Sequence, residues 1–319
     1  MFLHPVKYRG GITVTNKKSI IKKDLKRNYS LYLLVIPVLL WYAYFCYKPM
    51  YGILMAFQNF NFRRGIWGSD WVGFNNFIRF FSDPYFLRNI VNTISISLTD
   101  IAFGFPAPIL FAILINELPG KKFAKVTQTI TYMPHFVSLV VICGMIKSFV
   151  ASDGIITTVV SMLTGNPIEE SLLNNASLYV PIHVISGIWQ ELGWSSIIYL
   201  AALTGVDESL YEAASIDGAN RLRQIIHITV PSIVPVIITM LILRLGSVLS
   251  VGYEKVMLLT NSFNASRSEI LSYYTYKVGI LGGEYSLSTA AGLFNSVINC
   301  VFIFTANAIS RKVSETSLW

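Results

Sequence analysis

One apolar stretch of the sequence, residues 179–203, contains polar side chains of the kind that bind small molecules. Gln190, Glu191 and Trp194 lie within it, and Gln190 and Trp194 are four residues apart, so they share one face of a helix. An amide or carboxylate inside an apolar segment costs free energy, which makes it a functional candidate by default. An aromatic ring beside an amide and a carboxylate suits a ligand with an apolar face and a polar edge, such as a sugar.

These polar groups also have a second interpretation, in which they pair with other charged residues inside the protein. Arg244 lies in another apolar stretch, and either Asp100 or Glu191 could be its partner. The residue types alone leave ligand contact and internal pairing open as alternatives.

The sequence contains no motif for catalysis, nucleotide binding or metal binding. The patterns GxxxxGK[ST], HExxH and GxSxG do not occur. The four histidines are scattered along the chain, and the three cysteines lie far apart without a CxxC pair. We therefore expect a chain that is not an enzyme, with no catalytic residue, no metal site and no cofactor of its own.

The composition indicates that the elements positioning these residues are membrane-spanning helices. Hydrophobic residues make up 53% of the 319 residues and charged residues 13%, and the mean hydropathy is +0.55. Soluble domains have about 25% charged residues, so a disordered tail, a nucleic-acid-binding arm and an ordinary cytosolic enzyme are excluded. Because a span needs about 20 apolar residues, the pattern predicts six transmembrane helices. They lie at about 30–57, 90–115, 126–149, 179–203, 232–258 and 287–309.

The distribution of basic residues predicts the orientation. Fifteen Lys and Arg residues fall on the side that holds both termini, and six fall on the other side, so the first side is cytoplasmic. The predicted organisation is therefore a basic cytoplasmic N-terminus (1–29), the first transmembrane helix, an extracytoplasmic aromatic loop (58–89), a core of five transmembrane helices (90–309) and a cytoplasmic tail (310–319).

A long cytoplasmic segment, residues 205–235, separates the fourth and fifth predicted spans. An acidic residue opens its first helix, where the helix dipole favours negative charge, and Gly218 ends that helix as glycine commonly does. A second helix over about 219–229 is predicted to end at Pro231. The predicted fold is thus an all-α polytopic membrane protein with a cytoplasmic helix-turn-helix.

This segment resembles the EAA loop of the permease subunits of ABC importers. That loop has the pattern EAA, three residues, Gly, nine residues, Ile, one residue, Leu, Pro. Here Glu212-Ala213-Ala214, Gly218, Ile228 and Pro231 match at every spacing, and Val230 stands where Leu is usual. The segments 71–93, Tyr132-Met133-Pro134 and 252–261 are similar to carbohydrate importers of this family, and closest to those for complex oligosaccharides derived from pectin or alginate.

The resemblance implies a binding-protein-dependent importer of type I, working by alternating access. In this family the short helix of the EAA loop sits in a groove of an ATPase subunit, which implies ATPase coupling through Glu212, Ala213, Ala214, Asp217 and Gly218. The matching stretches of the family line the transport cavity. They imply that the substrate path is lined by Gln190, Glu191, Trp194, Tyr253 and Glu254.

The resemblance also implies the partners and the location. We expect a second homologous permease, two ATPase subunits that bind ATP and Mg, an extracytoplasmic solute-binding protein, an oligosaccharide cargo and no nucleic acid. The expected location is the bacterial cell membrane, with both termini cytoplasmic. Two alternatives stay open, namely the same kind of importer with a non-sugar solute and a stand-alone secondary transporter. The sugar, its length, the source of the ATPase and the subunit holding the main binding site are left undetermined by the sequence.

Overall fold

The computed structural model describes residues 26–313, and these residues are mostly helical. The predictions for residues 1–25 and 314–319, which include most of the basic N-terminus and the end of the tail, lie outside the described residues. The described residues fall into two compact units, which divide between Ile53 and Leu54. The second unit contains Gln190, Glu191 and Trp194, and it also contains the EAA-like segment.

The helices differ widely in length, and several contain short π-helical or 3-10 turns. In chain order they are α1 (Tyr29–Phe57), α2 (Gly65–Gly68), α3 (Asn75–Phe81), α4 (Phe86–Asn116), α5 (Lys121–Phe136), α6 (Leu139–Phe149), α7 (Ile155–Thr164), α8 (Tyr179–Leu203), α9 (Glu208–Ile216), α10 (Arg221–Leu245), α11 (Tyr253–Leu259), α12 (Ala265–Ser268), α13 (Leu271–Tyr276) and α14 (Tyr285–Val313). Two 3-10 turns, Leu172–Asn174 and Ala176–Leu178, precede α8, and a π-helical turn, Lys277–Leu281, follows α13.

A small antiparallel sheet is the one departure from the all-α prediction within the described residues. Its strands are β1 (Gln58–Asn59) and β2 (Asp70–Trp71). The side-chain amide of Asn76 donates to the carbonyl oxygen of Gln58 at 2.9 Å, which fixes α3 against the end of β1. The predicted aromatic loop therefore has defined structure.

Four described helices are long and apolar enough to cross a membrane, namely α1, α4, α10 and α14. The pair α5 and α6 adds a fifth segment if it counts as one broken span. Helix α8 begins and ends at the residues predicted for the fourth span, but it is not among these candidate spans. The count of six spans therefore stays a prediction.

The predicted third span, 126–149, is broken into two helices. α5 and α6 meet at an angle of 99°. Pro134 lies in the last turn of α5, and the backbone at Val137 and Ser138 is extended. The Ser138 hydroxyl then accepts a hydrogen bond from Val141 N, which caps a new helix in a new direction.

Two predicted helix ends are wrong, that of the second helix of the 205–235 segment and that of the fifth span. Pro231 does not end a helix, because α10 continues through it to Leu245. Val230 N donates to the carbonyl oxygen of Ile225, five residues back, and this π-helical turn accommodates a proline that has no N–H of its own. The predicted fifth span also extends to 258, whereas the structure starts a separate helix, α11, at Tyr253.

Three buried clusters hold the helices of the second unit together. One joins α6, α8 and α11 around Ile142, Tyr179 and Val256. The second joins α4, α8 and α10 around Tyr199 and Ile233, and a third joins α3, α13 and α14. Because lipid tails are as apolar as these side chains, close packing rather than transfer from water favours such contacts. The first two clusters lie above and below a polar region on α8.

A polar cavity and a helical hairpin as candidate functional sites

A cavity of about 1070 Å³ lies between α4, α8, α10 and the start of α11. Pockets for drug-sized ligands measure roughly 300–1,000 Å³, so this one has room for more than one sugar ring. Most of its wall is apolar, and the polar side chains are few and convergent, which is the usual composition of a small-molecule site. Four of the five residues predicted for the substrate path are at its wall: Gln190, Glu191, Trp194 and Glu254.

The wall formed by α8 is held in place by contacts with the end of α5. The ring of Trp194 stacks on the ring of His135, with centroids 4.4 Å apart and planes within 3°. His135 Nδ1 lies 2.9 Å from a carboxylate oxygen of Glu191. One histidine therefore orients both an aromatic ring and a carboxylate at the cavity wall. From the sequence alone, His135 is one of four scattered histidines with no predicted role.

Tyr253 is the predicted path residue that does not lie at the cavity wall. Its ring stacks on the ring of Tyr276, with centroids 4.7 Å apart and an angle of 19° between the planes. Glu254, the next residue, is exposed and does line the cavity. Successive helical residues point about 100° apart, so the two neighbours face different surroundings.

Asp100 and Arg244 form an ion pair in the wall of the cavity, in which Arg244 Nη2 donates to the carboxylate. The internal pairing considered for Arg244 is thus found with Asp100, while Glu191 pairs with His135. Gly104 makes room for this carboxylate, because a Cβ at that position would collide with Asp100 Oδ1. α4 is π-helical at Asp100–Gly104, and a widened turn therefore presents the charge to the cavity.

Lys255 also lines the cavity, although it was not predicted from the sequence. Its Nζ donates to the carbonyl oxygen of His183 at 2.8 Å. Its neighbour Glu254 was nominated from the matching stretch, and the position of the lysine directly after it was the available signal. No group of three or more His, Cys, Asp or Glu side chains within residues 26–313 is placed to hold a metal ion.

The EAA-like segment forms a helical hairpin, defined here as α9, the turn at Gly218 and the first turns of α10. Asp207 caps α9, because its carboxylate accepts a hydrogen bond from Ser209 N at 3.0 Å, and this bond lowers the pKa of Asp207. Gly218 has φ +77°, a left-handed conformation that other residues adopt at a cost. Asn220 then caps α10 by accepting from Arg223 N at 3.0 Å.

Two side-chain contacts hold the hairpin closed, and neither was predicted from the sequence. Gln224 Nε2 donates to Ser215 Oγ at 2.9 Å, and the hydroxyls of Tyr211 and Thr229 lie 2.9 Å apart. Both bonds join α9 to α10 across the turn. The hairpin is therefore a preformed unit rather than a loose loop.

The residues predicted for ATPase coupling lie mostly on the outside of this hairpin. Glu212, Ala213, Asp217 and Gly218 are exposed, and Ala214 is half-buried. Ile216 is 87% exposed, and Leu210 also leaves half of its side chain uncovered. An apolar surface of this kind beside acidic groups is typical of a docking face.

Residues 85–315 match the family described as "Binding-protein-dependent transport system inner membrane component". Protein LplB of Bacillus subtilis is 45% identical over 92% of this chain and 92% of its own length. The polygalacturonan/rhamnogalacturonan transport system permease protein YteP of the same organism is 40% identical over 95% of this chain and 94% of its own length. A chain in the crystal structure of a bacterial alginate ABC transporter, in complex with its alginate pentasaccharide-bound periplasmic protein, has a TM-score of 0.84 and 38% identity over 93% of this chain and 99% of that one.

Proposed function

The chain belongs to the family of binding-protein-dependent transport system inner membrane components, and on this premise we propose that it is the permease subunit of an ATP-driven importer of oligosaccharides. The observation that carries the proposal is the match, over nearly the whole chain, to a chain of an alginate importer. A large cavity with an aromatic ring, an amide and carboxylates in its wall supports the same assignment. The oligosaccharides are fragments of a larger polysaccharide, as the names of the relatives suggest.

In the proposed mechanism, the cavity is exposed alternately to the two sides of the membrane. Trp194 stacks against the apolar face of a sugar ring, while Gln190, Glu191 and Glu254 bond to its hydroxyl groups. Tyr253 contributes indirectly through its stack on Tyr276, which supports the start of α11. These side chains bind and orient the cargo and perform no covalent chemistry.

The energy for transport comes from partner subunits in this proposal. The hairpin docks in a groove of an ATPase subunit, with Ile216 and the small Ala213 and Ala214 in contact and with Glu212 and Asp217 facing basic groups. Gly218 holds the turn that joins the docking helix to α10. ATP and Mg are bound and ATP is hydrolysed by the two ATPase subunits, and this chain has no ATPase site of its own.

The remaining parts of the assembly follow from the same premise. A second, homologous permease subunit completes the membrane cavity, and an extracytoplasmic solute-binding protein delivers the cargo. The chain resides in the bacterial cell membrane and has six transmembrane spans. Four of them are α1, α4, α10 and α14. The broken pair α5–α6 forms the fifth span, and α8 forms the sixth. Both termini and the hairpin are cytoplasmic.

The decisive experiment is purification of the chain with candidate permease and ATPase subunits from the same organism, followed by ATPase assays with the binding protein. We expect the four subunits to co-purify and oligosaccharide-loaded binding protein to stimulate ATP hydrolysis. Glu212→Lys should abolish recruitment of the ATPase or its stimulation, because like charges then meet at the interface. Glu169→Lys, the same change on an exposed outer residue, is the control. Normal activity of Glu212→Lys, or a wild type that recruits no ATPase, would remove the assignment.

A further inference from the structure

The charged groups at the cavity wall are not all paired with one another. Asp100 is bound to Arg244, and Glu191 to His135. Lys255 lines the same cavity, yet among residues 26–313 no carboxylate oxygen lies within 4.0 Å of its Nζ. A cation that faces a cavity inside a membrane protein without an ion-pair partner in direct contact is expensive, although Asp100 and Glu191 at the same wall offset part of its charge. Such a group is therefore expected to meet its counter-ion on something that enters the cavity.

The ammonium of Lys255 is held in a defined place. Nζ donates one hydrogen bond to the carbonyl oxygen of His183 on α8, at 2.8 Å. Gly187 lies one turn further along α8, and a Cβ at that position would be only 3.3 Å from Nζ. The glycine thus leaves space around the charge. A lysine ammonium has three N–H donors, so two remain for a ligand.

The surroundings of Lys255 match the parts of an acidic sugar. The same cavity wall carries Trp194, whose ring suits the apolar face of a pyranose, and Gln190, whose amide suits hydroxyl groups. A uronic acid residue has these two features and a carboxylate as well. A charge-assisted hydrogen bond between an ammonium and a carboxylate is about twice as strong as one between neutral groups.

We propose that Lys255 recognises a carboxylate on the transported oligosaccharide, and that the cargo is therefore a uronate-containing, acidic oligosaccharide. This inference rests on the proposed function and deepens it, because it assigns the charge class of the substrate to one residue. Arg244 does not serve this purpose, since Asp100 already neutralises it. Glu254, which is exposed at the wall, accepts hydrogen bonds from sugar hydroxyls beside the bound carboxylate.

The test uses the complete importer, with both permease subunits, the ATPase subunits and the binding protein, in vesicles. The probes are uronate oligosaccharides released from polygalacturonate and from alginate, each supplied as the free acid and as the methyl ester, which keeps the sugar and removes its charge. We expect Lys255→Gln to lower uptake of the acid about tenfold, corresponding to about 1.4 kcal/mol, and to leave uptake of the ester or of a neutral oligosaccharide unchanged. Lys255→Arg should retain most of the uptake of the acid.

A matched control and the wild type make the outcomes separable. Lys147→Gln removes an exposed lysine that does not line the cavity, and its uptake of acid and ester should equal that of the wild type. Equal loss of acid and ester in Lys255→Gln, or no loss of either, would overturn the role of Lys255. A wild type that imports only neutral oligosaccharides would overturn it without any variant. A wild type that imports no oligosaccharide would instead refute the proposed function.

Discussion

Arg221 Nε lies 2.8 Å from a carboxylate oxygen of Glu117, so the first residue of α10 is paired with the residue directly after α4. The N–H groups of Arg221 are not aligned on that oxygen, and the contact is an ion pair without a hydrogen bond. Glu117 is largely buried, whereas Arg221 is two-thirds exposed. This pair ties the hairpin to α4, which carries Asp100 at the cavity.

The Glu117–Arg221 pair should matter more for coupling than for stability. Glu117→Gln should change the free energy of unfolding by no more than about 1 kcal/mol, since one partner is exposed to solvent. It should lower cargo-stimulated ATP hydrolysis several-fold, because α4 is no longer tied to the hairpin. Arg223→Gln, a nearby exposed change, is the control, and the swap Glu117→Arg with Arg221→Glu should restore stimulation. A swap that fails to restore it while the subunits assemble normally would exclude electrostatic coupling.

Gly218 should tolerate neither alanine nor proline. Its φ of +77° costs an L-residue about 1–2 kcal/mol, and its N–H donates to the carbonyl oxygen of Ser215 at 3.1 Å. Gly218→Ala should weaken ATPase recruitment, and Gly218→Pro, which also removes the donor, should abolish coupling while membrane insertion stays normal. Gly205→Ala, at a glycine without a positive φ, should behave as wild type. Co-purified ATPase and uptake are the measurements, and full uptake by Gly218→Pro would refute the role of the turn.

Trp194→Ala should reduce oligosaccharide transport more than it reduces assembly. The change removes a stacking surface from the cavity and also releases His135, its partner at 4.4 Å. We expect at least a fivefold rise in the concentration that half-saturates uptake, which is about 1 kcal/mol and within the range of one aromatic contact. Trp194→Phe should recover part of the loss. Trp189→Ala, an exposed tryptophan of α8 that does not line the cavity, should leave uptake unchanged, and an equal effect of both tryptophans would assign Trp194 to packing.

Gly104→Ala should destabilise the protein through Asp100. The new methyl group would occupy the position of the carboxylate and force it away from Arg244. Overpacking of this kind costs about 1–3 kcal/mol, so the unfolding temperature of the purified complex should fall. Gly292→Ala, in α14, meets no atom within 4 Å and is the matched control. Equal unfolding temperatures for the two variants would show that the carboxylate moves aside freely.

The topology prediction is tested with reporter fusions. A reporter after Asn116, at the end of α4, or after Trp319 should be cytoplasmic, and one after Gly165, which follows α7, should be external. Reporters at these positions distinguish a protein with six spans from one with the four or five spans that helix length and apolarity alone support. An external reporter after Trp319 would exclude the six-span topology with both termini cytoplasmic.

The sequence predicted those features that depend on local composition. The bounds of α8 coincide with the predicted 179–203. The turn that ends α9 is at Gly218, as predicted from the glycine. The fifth span could not be bounded in this way, because 232–258 is apolar on both sides of residue 245 apart from Arg244, Glu254 and Lys255. Its break after Leu245 depends on α14, where Asn299 Oδ1 accepts from Leu249 N at 3.1 Å and so satisfies backbone that has left the helix.

The sequence predicted only part of the cavity wall, because local composition identifies some of its residues and not others. Residues with an unusual type for their segment, such as Gln190 and Trp194, were identified directly. The roles of His135 and Lys255 depend on partners 56 and 72 residues away along the chain. Such long-range contacts leave no periodic signal in the sequence, and only the folded chain brings them together.

Because α10 continues through Pro231, its two ends belong to one helix, and each end carries an ion pair. Its 25 residues at about 1.5 Å each give an arm of roughly 36 Å, so a tilt of about 5° pivoting at one end displaces the other by about 3 Å. Arg221 stands at one end of this arm and Arg244 at the other, and each is paired with a carboxylate on or beside α4. A helix ending at Pro231 would have placed a joint between them. Without that joint, both ion pairs lie on one continuous helix that also passes through Pro235, so a tilt of α10 as a unit would move both of them.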